Sequence, residues 1–159
     1  MPDVLVMKND QGRLEGFGER GAKTYNKFLA ACRELGVGEM LSFAYRVPRS
    51  EKFHKLHFVM LRALYEAQEQ FADEYVFRKW TEVGAGHCQY APGAKGRMVA
   101  IPLSISYESL DDVEFEELHG KVKDFMRSEH ARRFLWPHLS AEQTWETVDI
   151  LLREFEERR

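Results

Sequence analysis

Cysteine is nearly missing from this chain: Cys32 and Cys88 are the only two in 159 residues. Two distant thiols with no C-x-x-C spacing exclude a disulfide framework and point to free thiols in a reducing compartment. No apolar run approaches the ~20 residues needed to span a bilayer. The opening MPDVLVMKNDQGRL has an early Asp and lacks the apolar core of a secretion signal. These absences give the expectation of a cytoplasmic protein with no membrane partner. No internal repeat or low-complexity linker interrupts the chain either. A single domain over 1–159 is therefore expected, with 1–21 partly irregular and 156–159 a frayed tail.

A strong net charge is also absent. The chain has 23 Lys and Arg against 26 Asp and Glu, a net of −3, which excludes a wholly basic nucleic-acid coat but not binding through one face. The charge is unevenly placed. Residues 46–62 hold Arg46, Arg49, Lys52, Lys55 and Arg62 against Glu51, a local net of +4. Residues 108–118 hold Glu108, Asp111, Asp112, Glu114, Glu116 and Glu117, a local net of −6.

Hydrophobic periodicity lays out the fold. Val4 to Met7 suits an edge strand, and a helix is expected from Ala22 to Leu35, stopped by Gly36. Alternation from Glu39 to Val47 predicts a strand ended by Pro48. The most apolar helical pattern follows from Ser50 to Phe71, with Phe53, Leu56, Met60 and Leu64 on one stripe and Phe58, Leu61 and Tyr65 widening it. Asp73 is placed to cap a helix over 74–83. His87–Tyr90 and Arg97–Ser106, joined by PGAKG, read as a hairpin. Ser109 or Asp111 can cap the next helix, which carries Phe115, Leu118, Val122, Phe125 and Met126. Gly120 inside that helix costs about 1 kcal/mol relative to alanine and suggests close packing. A short helix over 127–136 and a last one opened by the Ser140/Gln143 capping-box pair complete the chain. The expected class is α+β: a small, mostly antiparallel sheet packed against several amphipathic helices.

Candidate chemistry is thin. Gly16, Gly18 and Gly21 spell G-x-G-x-x-G without the parallel βαβ context of a dinucleotide site, so a flexible loop is the favoured reading. His54-x-x-His57 with His87-Cys88 could supply four zinc ligands, but no second paired element supports that, and packed histidines are preferred. Asp112 and Glu116, four apart on a helix, could hold magnesium for a nuclease only in a desolvating cleft. No catalytic residue, metal or cofactor is therefore assigned, and catalysis is the less favoured expectation. The basic group is more suggestive: Arg46, Arg49, Lys52 and Lys55 enter a helix N-terminus, Lys95 and Arg97 lie on a glycine-rich hairpin, and Arg127, Arg132 and Arg133 form a further segment. All nine are candidates for nucleic-acid phosphate. Tyr45, Phe53, Tyr90 and Tyr107 could stack on bases if exposed. Asp111, Asp112 and Glu116 are candidates for contact with a protein partner.

Two segments carry a family resemblance. YRVPRSEKFHKLHFVMLRALYEA resembles the F-H-[KR]-x-x-F-x-x-L helix of a family of small proteins encoded by tailed phages and prophages. IPLSISYESLDDVEFEELHGKVKDF resembles that family's S-I-S-[FY]-x-x-[ML]-[DE]-x-x-x-F-x-x-[LY] signature. The match spans roughly residues 40–126. That family is loosely comparable to the NinB/Orf recombination proteins of lambda-like phages, which are dimeric and bind single-stranded DNA. The resemblance implies packing roles for Phe53, Phe115 and Leu118 and phosphate contacts for Arg49, Lys52 and Lys55. It covers His54, Ser104, Ser106, Leu110 and Asp111 without assigning them chemistry. This chain departs from the pattern by its acidic total and its long preceding segment.

The expectation is thus a non-catalytic phage or prophage accessory protein of DNA recombination or replication. It would bind single-stranded DNA or a DNA-processing protein in the bacterial cytoplasm, with a homodimer as a possible state. The alternatives are an adaptor or inhibitor of a host process acting through an acidic surface, and a metal-dependent nuclease.

Overall fold

The computed structural model describes residues 4–47 and 49–156. It is an α+β protein with six helices and two small antiparallel two-stranded sheets among these residues. No helix in the described range is long and apolar enough to cross a membrane. The chain divides into two compact units, Met1–Tyr45 and Arg46–Arg159. The expected end of a strand at Pro48 and the expected fraying of 157–159 lie outside the described residues.

The first unit pairs β1 (Val6–Lys8) with β2 (Leu14–Gly16) and continues into α1 (Gly18–Glu34). The turn is built by Asn9, whose side-chain oxygen accepts from the amides of Gln11 and Arg13 at 3.1 and 2.9 Å. The glycine triplet is not a flexible loop. It makes a strand-to-helix pinch: Gly18 takes a φ of +68°, and a β-carbon on Gly16 would lie 2.3 Å from the Gly21 carbonyl oxygen. Because β2 pairs antiparallel with β1, the setting is not the parallel unit of a dinucleotide fold. Only Gly21 is buried between residues 4 and 45. The strand expected over 39–47 does not form, although Phe43 packs edge-on against Phe28 at 5.5 Å. Alternation supplies a face but not a neighbouring strand, and both sheets pair only within themselves.

The second unit holds the core. Here α2 (Glu51–Glu66), α3 (Glu74–Gly84), the hairpin β3 (Cys88–Pro92) and β4 (Met98–Pro102), α4 (Asp112–Arg127), α5 (Glu129–Leu135) and α6 (Ala141–Glu156) follow in order. Helix α2 buries His57, Met60, Leu61 and Leu64 at i, i+3, i+4 and i+7, against Phe77, Phe115, Leu118, Val122, Val148 and Leu152. It ends earlier than its apolar pattern suggests, because Gln68 builds a corner. The buried Gln68 amide donates to the carbonyls of Tyr65 and Phe71, and its oxygen accepts from the amides of Gln70 and Phe71. One side chain thereby satisfies the backbone groups that a longer helix would have paired.

The expected caps are present. Ser50 accepts from the Phe53 amide, Asp73 from Val76, and Ser140 exchanges bonds with Gln143. Asp111, rather than Ser109, caps α4 in a capping box with Glu114. The hairpin keeps the register Cys88↔Pro102 through Pro92↔Met98. Close packing expected at Gly120 is found instead at Gly84. A β-carbon at Gly120 would meet nothing within 4 Å, whereas one at Gly84 would lie 2.3 Å from the Phe125 ring. The Trp136 indole donates to the Ala67 carbonyl at 2.8 Å, tying the end of α2 to the segment after α5.

Candidate functional site

The oppositely charged segments of the sequence meet within the second unit, where the start of α2 lies against the loop 103–110 and the start of α4. Asp112 accepts the Ser50 amide at 2.7 Å, and the Asp112 amide donates to the Val47 carbonyl at 3.2 Å. The α2 N-terminus therefore receives an internal carboxylate, the charge its dipole favours. Arg46 donates to the Glu108 carbonyl at 2.6 Å. Charge segregation along the chain becomes local complementarity in space.

Arg49 lies at the centre of this junction. It is only 6 % exposed, and its guanidinium donates to the carbonyls of Ile105 (2.9 Å), Ser106 (2.8 Å) and Leu110 (2.9 Å). Its fourth contact is the His54 Nδ1 at 3.1 Å. The cation also stands 3.9 Å from the Phe115 ring centroid and 4.9 Å from that of Tyr107. Burial lowers its pKa, opposed by Tyr107 and Asp112. The expectation of a phosphate contact from Arg49 thus meets a fork already committed to three carbonyls, the geometry for which guanidinium is suited.

One histidine contacts Arg49 and two more lie behind it. Since arginine only donates, His54 accepts at Nδ1 and carries its proton on Nε2. Its ring centroid is 4.5 Å from Tyr107, 4.7 Å from Phe58 and 5.4 Å from Phe115. Behind it, His57 and His119 share a proton between their Nδ1 atoms at 2.9 Å, both rings buried. Burial, then His119, His54, Arg49 and Arg78, push His57 down to about 3. Burial and then Arg49 lower His54. His119 was not singled out in the sequence reading, yet it was discoverable: it sits four residues after Phe115 and three before Val122, on the buried stripe of α4.

The remaining sequence candidates separate. Asp111 is engaged in its own helix cap and Asp112 in capping α2, while Glu116 is exposed. Arg127 pairs with Glu156 at 2.9 Å beside Lys123 at 3.0 Å. Those two hydrogen bonds, Arg127's first, hold the Glu156 carboxyl down to about 2. Arg132 donates to the carbonyls of Arg127 and Ala141 and to Thr144, and its guanidinium lies over Trp145. Arg133 pairs with Glu129. By contrast, Lys52, Lys55, Lys95 and Arg97 are exposed, with no ion pair among the described residues. Lys95 and Arg97 stand on the hairpin turn, within a stretch, residues 83–107, that contains no Asp or Glu. Tyr90 on the same hairpin is 68 % exposed. Phe53, offered as a stacking residue, instead packs edge-on against Phe115 at 5.8 Å.

No group of three or more His, Cys, Asp or Glu side chains among the described residues is placed to hold a metal ion. His87 instead approaches the Ser104 carbonyl at 3.1 Å, and both cysteines are free and half-buried. The chain matches no protein-family model, no curated protein and no solved structure.

Proposed function

We propose that this is a non-catalytic accessory protein of nucleic-acid processing that holds a nucleic-acid backbone on the β3–β4 hairpin. The observation that carries the reading is the acid-free stretch 83–107 with exposed Lys95, Arg97 and Tyr90, inside a chain whose total charge is negative. Cations without competing carboxylates can release counterions from phosphates, and an exposed tyrosine offers a base a stacking face. Lys52 and Lys55, exposed on the first turns of α2, extend the set; Arg46 is exposed but holds the Glu108 carbonyl. The two phage-like motifs support a place in phage or prophage recombination or replication, with single-stranded DNA as the ligand.

Fluorescence anisotropy with labelled single- and double-stranded oligonucleotides at low and moderate salt tests this. Binding that weakens with salt and is lost in a Lys95→Glu/Arg97→Glu variant is the expected result. Salt-insensitive binding, or none by folded protein, refutes it. A purely protein-binding role through the acidic α4 surface is the second reading, supported by the exposed Glu116. It predicts partner capture that survives nuclease treatment and weakens on Glu116→Lys.

A further inference from the structure

We propose that the loop 103–110 is a proton-operated clasp: His54 holds Arg49 in place as a neutral acceptor, and a proton taken up by His54 releases the loop. Among the described residues, Arg49 alone gathers the Ile105, Ser106 and Leu110 carbonyls at once. Those three acceptors lie on a segment without regular secondary structure, where the fork holds the middle between the bonds of Leu103 and Ser104 to His87 and of Glu108 to Arg46. One Nη1 proton of the fork goes to Ile105 and the other to His54 Nδ1. This contact exists only while Nδ1 is unprotonated.

A proton on Nδ1 replaces a hydrogen bond with an N–H facing an N–H, and sets an imidazolium 3.1 Å from a guanidinium. Like charges at that range repel strongly where burial limits screening. His54 is half-buried and reachable by water, whereas His57 is fully buried; the two therefore answer acid differently. The groups facing His54 are Arg49 from the segment before α2, Tyr107 from the loop, Phe58 along α2 and Phe115 from α4. His57 follows one turn on along α2, and Arg78 reaches from α3 over the Phe58 ring at 5.1 Å. Asp112 is the carboxylate that acts on Arg49, and its Oδ1 is held by the Ser50 amide. The junction thus offers the new cation little compensation. Tyr107, tilted against His54 and under Arg49, moves with the loop. The clasp stands independently of what the hairpin binds.

The test is an NMR pH titration of the whole chain that follows the His54 ring and the amides of Ser109, Leu110 and Asp112, which donate to Ser106 and Val47 carbonyls. The expected result is that the loop amides shift with the His54 midpoint. Once the chemical pH dependence is removed, they also exchange about tenfold faster in the protonated state, the loss of one charge-assisted hydrogen bond. The core amides of Met60 and Leu64 stay better protected than the loop through the same step, their exchange following only the gradual loss of stability that His57 imposes. A His54→Gln variant, whose amide oxygen accepts from Arg49 without titrating, keeps the loop protected at both ends of the range. The proposal is overturned if the loop amides ignore the His54 midpoint, if core and loop open together, or if His54→Gln keeps the wild-type dependence. Should that variant not fold, the midpoints in the wild-type protein decide alone.

Discussion

Acidification should weaken the second unit through His57, and the size of the effect follows from its burial. The ring has no exposed surface and its pKa is held at about 3 against an ordinary 6.5. In the unfolded chain it takes up a proton near the ordinary value; in the folded protein it stays neutral. The unfolded state therefore binds more protons below pH 6.5, and stability falls as pH drops from there toward 3. The slope for one such group is about 1.4 kcal/mol per pH unit. At about pH 5 the loss is about 2 kcal/mol, and the full span amounts to about 5 kcal/mol. Against a total of about 5–15 kcal/mol for a domain, this is a large fraction. Urea unfolding read by Trp80, Trp136 and Trp145, all in the second unit, measures it at about pH 7.5, 6 and 5. The midpoint should fall with an unchanged urea slope. His57→Gln should be less stable near neutrality yet lose about one proton's worth of the pH slope. An unchanged wild-type midpoint over that range, or a glutamine variant with the full slope, would refute a neutral buried His57.

Removing the Arg49 fork should be severe: Arg49→Ala takes the guanidinium from the half-buried Ile105 and Leu110 carbonyls, while the Ser106 carbonyl keeps the Ser109 and Leu110 amides, and costs about 2–3 kcal/mol by denaturant unfolding. Arg49→Lys, keeping the charge but not the fork, should recover less than half of that. Gly84→Ala drives a methyl group into Phe125 and should cost about 1–3 kcal/mol, read as a lower melting temperature. Gly16→Ala should weaken the first unit, seen as faster amide exchange at Met7 and Glu15 while α4 is unchanged. Glu156→Gln removes a carboxylate held at about 2. Because a depressed carboxyl stabilises above its unfolded value of 4.5 and is lost as pH falls toward 2, the variant's deficit should vanish in acid. Its size near neutrality should be only about 0.5 kcal/mol and shrink with salt, since the Glu156 carboxylate is exposed.

The helices were the legible part of this chain, because each carries its own period and its own punctuation. Ser50, Asp73, Asp111 and Ser140 announced starts that the structure uses, and PGAKG announced the hairpin. What failed to read depends on partners. The 39–47 stretch has strand alternation, but alternation cannot provide a neighbouring strand. The 14–16 stretch is a strand with almost no apolar signal, formed because β1 lies beside it. Gln68 is an ordinary surface residue by type, yet it ends α2 sooner than the apolar stripe does.

The candidate site shows the same division more sharply. Charge counts marked 46–55 and 108–117 as unusual but could not reveal that the two segments meet, through the Ser50–Asp112, Val47–Asp112 and Arg46–Glu108 bonds. An arginine that binds phosphate and one that gathers carbonyls look alike in sequence; only burial separates Arg49 from Lys52 and Lys55. His119 was hidden for a simpler reason, being polar in a stripe read by its apolar members.

The α2–α4 junction also bears on how the chain folds. The bonds from Arg49 to Ile105, Ser106 and Leu110, and from His57 to His119, bridge separations of 56, 57, 61 and 62 residues. The β3–β4 hairpin lies inside that span and pairs locally, so it can form before the span closes. The junction instead demands closure of a long loop, and its polar groups gain nothing until every partner has arrived. It is therefore one of the non-local closures of the fold, beside the Trp136–Ala67 bond across 69 residues. Substitutions at Arg49 and His119 should separate into those that retard folding and those that hasten unfolding, according to whether the closure precedes or follows the barrier.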